Sequence, residues 1–302
     1  MTADAGLGPW RWVRTAALLI TVAVALGHAA GGLPLGLLLQ IDHQLADAQT
    51  RAMMPRTLDP RIVIVDVDER SLAEFGRWPW SRDRLAALTE EIMAHQQAAV
   101  LGMDLVFTEA DQSSGLPTLE RLARQSPELA AAVAQVRDEL DFDARFANAL
   151  KDRPLALGYY LTQGGDRPRS GQLPRPVFEM STLGSQPIHL THWDGYAASL
   201  PALARVAPLA GFVNNVPDPD GVVRSVPLLA EIDHGCYEAL ALAIFRAYTG
   251  APDVVPVWPS ARITLRGVPC DESQSFVSYC FRPSLSMILC CPSWFLVYVN
   301  LM

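Results

Sequence analysis

Two apolar runs separated by a helical pattern constrain the fold of this chain most strongly. Ile62–Val67 and Val100–Phe107 have the composition of strands that are buried on both faces. Between them, apolar residues recur at helical spacing at Leu85, Leu88, Ile92 and Met93. A strand, a helix and a second strand make a βαβ unit, and the apolar run Leu155–Leu161 repeats this pattern. The sequence therefore predicts an α/β fold, with a mostly parallel sheet and flanking helices.

A β-hairpin is predicted further along the chain. The apolar runs Gly211–Val216 and Val222–Leu229 flank the turn residues Pro217–Gly221. Within that turn, Asp-Pro-Asp-Gly has a superficial similarity to a calcium loop. It lacks the later ligands and the bidentate glutamate of such a loop, so a hairpin turn explains it better.

Composition and motifs exclude several classes of function. The net charge is −8 and there is no block of Lys or Arg, which argues against a nucleic-acid partner. The five cysteines show no zinc-site spacing, and the chain has no phosphate loop, G-x-S-x-G elbow or H-E-x-x-H motif. We therefore expect no catalytic residues, no bound metal, no cofactor and no enzymatic activity.

The N-terminal region is apolar enough to suggest a membrane segment. Residues 15–41 carry no charge, and about 20 apolar residues are enough to span a bilayer. Because Arg11 and Arg14 precede this run, residues 1–12 are predicted to be cytoplasmic and residues 13–39 to form a transmembrane anchor. A cleaved signal peptide is the competing interpretation. Both interpretations export residues 42–280, the predicted periplasmic domain.

The C-terminal residues 281–302 differ in character from the preceding domain. Pro283–Met302 is uncharged and contains two of the cysteines, with Pro292 near its middle. Such a tail is interpreted either as a partial transmembrane segment or as a truncated or frame-shifted end.

Three aspartates mark the predicted carboxyl ends of the first two strands. Asp66 and Asp68 lie at the end of the first strand, and Asp104 lies late on the second. Ligands of open α/β sheets gather at these ends, and carboxylates there could bind Mg²⁺ or Ca²⁺ or act as an acid/base pair. In the structural alternative, Asp68 caps a helix, Asp104 accepts hydrogen bonds from backbone amides, and Asp66 pairs with Arg77 or Arg82.

An aromatic turn lies next to these aspartates in sequence. Trp78-Pro79-Trp80 places two large rings just before a helix, after Arg77. The rings could stack on a ligand or a partner domain, or they could close one end of the core.

Four stretches together resemble the type-2 CHASE domain, an extracytoplasmic sensory domain of bacterial cyclases and kinases. They are Ile62–Leu72, Phe75–Arg82, Met103–Phe107 and the predicted hairpin at 211–227. The resemblance covers roughly residues 42–280. It implies an N-terminal transmembrane helix and further transmembrane helices that lead to a cytoplasmic cyclase or kinase effector. The family's glycine-rich final strand, transmembrane bundle and effector are not recognised after about Phe281, so the chain resembles a sensor input module truncated at its C-terminus.

The resemblance predicts a sensor that is anchored by a single pass in the bacterial inner membrane and lacks an effector of its own. Its ligand, an unidentified small molecule or ion, is expected at Asp66, Asp68, Arg77, Trp78, Trp80 and Asp104. Assembly as a homodimer is left open. The alternative function is a periplasmic metal-dependent hydrolase that uses Asp66, Asp68 and Asp104.

Overall fold

The chain forms two compact units, which are described separately. A computed structural model describes residues 10–29, 36–54, 60–164, 169–184, 190–218, 220–224, 226–257, 262–266 and 296–300. The N-terminal unit is Met1–Leu58 and the α/β unit is Asp59–Met302.

The N-terminal unit contains helices α1 (Trp10–Ala29) and α2 (Gly36–Met53). Along α1 the apolar side chains are exposed, and Leu18, Leu19 and Ile20 each expose more than 60% of their surface (64%, 65% and 64%). Among the described residues, no helix is both long and apolar enough to cross a bilayer. The predicted anchor at 13–39 covers parts of both helices, and the structure does not support it as a transmembrane segment.

The α/β unit alternates strands and helices. Its strands are β1 (Ile62–Asp66), β2 (Val100–Met103), β3 (Leu155–Thr162), β4 (Phe178–Glu179), β5 (Thr191–His192), β6 (Gly195–Ala197), β7 (Ala210–Phe212), β8 (Leu229–Ile232), β9 (Gly235–Glu238), β10 (Val254–Val257), β11 (Arg262–Leu265) and β12 (Leu296–Asn300). Its helices are α3 (Glu69–Phe75), α4 (Arg82–Glu90), α5 (Leu116–Ala123), α6 (Pro127–Leu140), α7 (Phe142–Leu150), α8 (Pro201–Val206) and α9 (Leu240–Tyr248). A π-helical turn, Glu91–His95, extends α4, and Met180–Leu183 forms a 3₁₀ turn.

The central sheet has the strand order β1-β12-β2-β3-β6, and β7 also pairs with β3. All of these pairings are parallel except that of β6 with β3. The predicted mixed α/β fold with a parallel sheet and flanking helices is therefore confirmed. A smaller sheet has the order β4-β9-β8-β5, and β10 pairs with β11.

Strand β12 comes from the part of the chain that we interpreted as an atypical tail. It lies between β1 and β2, so these two strands are not neighbours, as a simple βαβ unit would have made them. The remaining tail residues, 281–295 and 301–302, lie outside the described residues.

The prediction of burial on both faces is right for β2 and wrong for β1. Every residue of β2 is buried. In β1, Ile62 and Ile64 expose 53% and 64% of their surface. Both strands are mainly apolar, but β1 is the terminal strand of the described sheet and β2 is internal. Composition alone does not distinguish these positions.

The β-hairpin is formed by β8 and β9, which lie later in the chain than the predicted hairpin at 211–229. Strand β7 pairs with β3, whereas β8 pairs antiparallel with β9 through a turn at Asp233 and His234. Both turn residues have positive φ, 48° and 66°, as a two-residue hairpin turn of type I′ requires. The prediction missed this hairpin because its turn carries Asp-His instead of the usual Asn-Gly or Asp-Gly.

The Asp-Pro-Asp-Gly segment contains a turn, although the described residues on either side of it form no hairpin strands. The Gly221 amide donates to the Asp218 carbonyl (2.8 Å). Arg224 binds the carboxylates of Asp218 and Asp220, at 2.9 and 2.7 Å. Both acidic side chains are therefore held by an arginine of the same turn, which fits the preference for a structural turn over a calcium loop.

Helices cover both faces of the central strands. Leu101 and Leu157 pack in a cluster with Leu85 of α4 and Phe146 of α7. Their neighbours in sequence, among them Val100 and Ala156, pack instead against α9. Because successive strand residues point to opposite faces, these two clusters define a helix–sheet–helix arrangement.

Helix α9 approaches the sheet so closely that β7 requires a glycine. A Cβ atom on Gly211 would lie 2.3 Å from the Leu240 nitrogen and 2.4 Å from the Ala239 carbonyl carbon. Both neighbours are backbone atoms at the start of α9, which cannot move away independently. The main chain of β7 is therefore in direct contact with the helix.

We expect the Gly211→Ala variant to lower the free energy of unfolding by about 1–3 kcal/mol, as overpacking of a core does. Urea unfolding followed by circular dichroism would measure the change. Ala251→Gly is the contrasting variant, since Ala251 has a φ of 58° that glycine adopts without strain. This second variant should unfold at the same urea concentration or a higher one, and a loss of stability confined to Ala251→Gly would contradict the argument.

Candidate functional site

The carboxyl ends of β1 and β2 lie at the same level of the central sheet. Val65, Val299 and Met103 are aligned across β1, β12 and β2, so Asp104 follows at the level of Asp66. With β12 between them, the two Cα atoms are separated by about 10 Å, twice the spacing of neighbouring strands. One carboxylate oxygen of Asp66, Oδ1, is buried without a hydrogen-bond partner among the described residues.

Asp68 has the structural role that its position suggested. It is the N-cap of α3, and its Oδ1 accepts hydrogen bonds from the Ser71 amide (2.8 Å) and hydroxyl (2.7 Å). The hydrogen bond from the Ser71 amide is the main reason why the pKa of Asp68 lies below its ordinary value. Its carboxylate is thus engaged in helix capping.

The Trp78–Trp80 turn packs against the core cluster of α4 and α7. Both tryptophans are partly buried there, with their ring centroids 5.9 Å apart. Trp80 also makes an edge-on contact with Phe75 at 5.7 Å, and its indole Nε1 donates to the Gly76 carbonyl (3.0 Å). The neighbouring Arg77 is exposed and makes no ion pair with a described residue. A ligand role for these residues stays a prediction.

Three charged residues form a network that the sequence did not reveal. The backbone amide of Arg82, at the start of α4, donates to Asp111 Oδ2 (2.5 Å). The Arg82 guanidinium lies 3.4 Å from Asp143 Oδ1 and stacks on the Phe107 ring at 4.4 Å. Asp143 Oδ2 in turn accepts from the Asp111 amide (2.9 Å). Arg82 therefore pairs with Asp143, not with Asp66 as the structural alternative proposed.

Burial and hydrogen bonding have opposite effects on the pKa values of the two aspartates in this network. Burial raises the pKa of Asp143, against the nearby charge of Arg82 and a hydrogen bond from the Asp111 amide. Burial also raises the pKa of Asp111, but hydrogen bonds from Ser113 and from the Arg82 amide lower it by more. The pKa of Asp111 therefore lies below its ordinary value. The network joins α4, the 109–115 loop and the start of α7, which are far apart in sequence.

A second buried ion pair flanks α9. Glu238, the last residue of β9, exposes 4% of its surface, and its Oε1 accepts a hydrogen bond from Arg246 of α9. The Arg246 Nε donates to the Pro252 carbonyl (2.8 Å). The other oxygen of Glu238, Oε2, is buried and has no hydrogen-bond partner among the described residues. Burial raises the pKa of Glu238 to about 7, although Arg246 opposes this shift.

An open groove borders this ion pair. Its volume is about 740 Å³, within the range of small-molecule sites. The described residues that line it come from the 172–177 segment, α8 and the loop that follows it, the end of β9, the last turn of α9 and the loop after α9. The sequence carried one signal for this site, which is that Glu238 directly precedes the apolar run of α9.

Comparison with known proteins identifies the family. A family model of the CHASE2 domain matches residues 16–289, which is most of the chain. The chain belongs to the CHASE2 domain family. No curated protein and no solved structure matches it significantly. CHASE2 is a sensory domain of signalling proteins, not a catalytic one, so the predicted resemblance is confirmed.

The residues that carried the resemblance build the scaffold of this CHASE2 domain. Asn214, in the Gly-Phe-Val-Asn segment, pairs with the backbone of Leu161 at the end of β3. Its Oδ1 accepts from the Leu161 amide (2.7 Å) and its Nδ2 donates to the Leu161 carbonyl (2.9 Å). Gly211 allows the contact between β7 and α9, and Arg224 closes the Asp-Pro-Asp-Gly turn. These recognisable residues therefore have structural roles.

The Asp111→Ala variant should be less stable by about 1–2 kcal/mol, because the Arg82 amide at the start of α4 loses its acceptor, whereas the backbone amide of residue 111 that binds Asp143 is kept. Chemical denaturation would measure the difference. Asp138→Ala, on the exposed side of α6, is the control and should be nearly neutral. Equal effects of the two substitutions would show that the network does not hold α4.

The Glu238 carboxyl should make the stability of the CHASE2 domain depend on pH. Its folded pKa of about 7 lies above the ordinary value of 4.5, so the folded state holds more protons between these values. The contribution of Glu238 to the stability of the folded state is therefore fully present below pH 4.5, and it is lost as the pH rises through 7. The neighbouring Tyr159 and Cys236 have pKa values raised by burial, and they titrate at higher pH.

We expect urea unfolding at a series of pH values to show stability falling from about pH 5 to about pH 8 in the wild type, and falling less in Glu238→Gln. The exposed Glu74→Gln variant serves as the control and should keep the wild-type slope. The same slope in wild type and Glu238→Gln would contradict the assignment.

Proposed function

We propose that this chain is the extracytoplasmic input domain of a bacterial signal-transduction protein and has no enzymatic activity of its own. The observation that carries this proposal is the CHASE2 match over residues 16–289. A separate effector domain would produce the output. The role of the chain is then to bind a ligand and to favour one of two conformations that the effector can read.

Attachment to the bacterial inner membrane is part of the proposal. Residues 15–41 are uncharged, and Arg11 and Arg14 precede them, as is typical of segments with a cytoplasmic N-terminus. Many apolar side chains of α1 are exposed, among them Leu18, Leu19 and Leu26. Such a surface favours contact with an apolar environment such as lipid. These features support membrane attachment of the N-terminal unit, which needs a direct test.

The arrangement of the aspartates does not favour a metal-dependent hydrolase. Asp68 is engaged by Ser71 as a helix cap, and Asp66 and Asp104 are separated by the width of β12. A hydrolytic metal site needs carboxylates that converge on one ion, together with a nucleophile or base within hydrogen-bond reach. These three residues are not gathered at one point.

Reporter fusions test the location. Alkaline phosphatase folds only after export and green fluorescent protein matures only in the cytoplasm, so each is fused to the C-terminus of the full chain. We expect active phosphatase and no fluorescence in the bacterial cell. Deletion of residues 1–29 is the control and should reverse both signals. Fluorescence without phosphatase activity from the full-length fusion would refute an extracytoplasmic domain.

A further inference from the structure

We propose that the groove beside Glu238 binds a small organic anion that carries hydroxyl groups, such as a sugar acid. This inference deepens the proposed sensory function, since it names the ligand class of the sensor. It places the ligand away from the strand ends, where the sequence predicted it.

The groove has walls that are formed before any ligand binds. The 172–177 segment is fixed at both ends, because the Gln172 amide donates to Ser199 (2.9 Å) and the Val177 amide to Cys236 (2.8 Å). Pro174 and Pro176 lie between these anchors, and their rings restrict the backbone further. A rigid wall lowers the ordering cost of binding, which favours a site over an adaptable surface.

The unpartnered oxygen of Glu238 supplies a specific contact. Glu238 lines the groove, and its Oε2 is shielded from solvent and has no partner among the described residues, so a ligand hydroxyl that reaches it on entry would satisfy it. The Oε1 of the same carboxyl group already accepts a hydrogen bond from Arg246. An ammonium group at Oε2 would be close to this guanidinium and would be repelled by it. A neutral hydroxyl donor avoids the repulsion.

The charges around the groove favour an anion. Arg175, Arg205 and Arg246 line it, against the two acidic residues Glu238 and Asp253. Arg175 and Arg205 are exposed and make no ion pair with a described residue, whereas Asp253 lies 3.7 Å from Arg266. Two guanidinium groups are thus available for a carboxylate or phosphate, which they bind in bidentate fashion.

Titration calorimetry on the full chain with three carboxylates of equal chain length tests the ligand class. Gluconate carries hydroxyl groups, norleucine carries an ammonium group and hexanoate carries neither. We expect gluconate to bind about tenfold or more tightly than hexanoate, because hexanoate leaves Glu238 Oε2 unsatisfied. Norleucine should also bind more weakly than gluconate. Tighter binding of norleucine or hexanoate would overturn the proposal, as would the absence of gluconate binding at millimolar concentration.

Variants test whether the binding occurs in this groove. Arg205→Gln and Arg175→Gln should each weaken gluconate binding by about threefold to tenfold, through loss of one charge at the anion. Arg124→Gln removes the same charge from the exposed end of α5 and should leave the affinity unchanged. Glu238→Gln should reduce the preference for gluconate over hexanoate. Equal effects at Arg205, Arg175 and Arg124 would place the binding elsewhere.

The outcomes separate this inference from the proposed function. A chain that passes the reporter test but binds no gluconate remains an exported sensory domain without this site. A chain that binds gluconate in the groove but fails the reporter test has the site and lacks the proposed location.

Discussion

Burial of α9 on both sides is the constraint on which most of the α/β unit depends. Ala243 and Ala247 pack against β2 and β3 of the central sheet, whereas Leu242 and Phe245 pack against the smaller sheet. A helix in this position must be apolar around its circumference, as the sequence of α9 is. It also forces the close contact with Gly211 and joins the two sheets into one core.

This position of α9 explains where polar groups become buried. Glu238, just before α9, and Arg246, in its last turn, pair with each other, and the second carboxylate oxygen of Glu238 is buried without a partner among the described residues. A ligand in the groove would lie beside Glu238, just before α9, and Arg246, in its last turn. Because α9 packs on β2 and β3, a shift of the helix would also displace side chains of the central sheet.

The predicted site and the proposed site differ because they rest on different information. Asp66, Asp68 and Asp104 follow strands in the sequence, so the general preference for strand carboxyl ends selected them. Asp111, Asp143 and Glu238 come together with their arginine partners only after loops and helices have folded. No short motif marks these pairs, since their members are between 8 and 61 positions apart in the chain.

The sequence by itself determined the family, the α/β class and most helices, because local periodicity and capping residues encode them. Asp68, Gly76 and Ser81 mark the bounds of α3 and the start of α4 where the structure has them. Tertiary structure alone decided that β12 enters between β1 and β2, that β7 pairs with β3, and that β8 forms a hairpin with β9. Strand order depends on packing between residues distant in the chain, and an apolar run has the same composition at the edge of a sheet as at its centre.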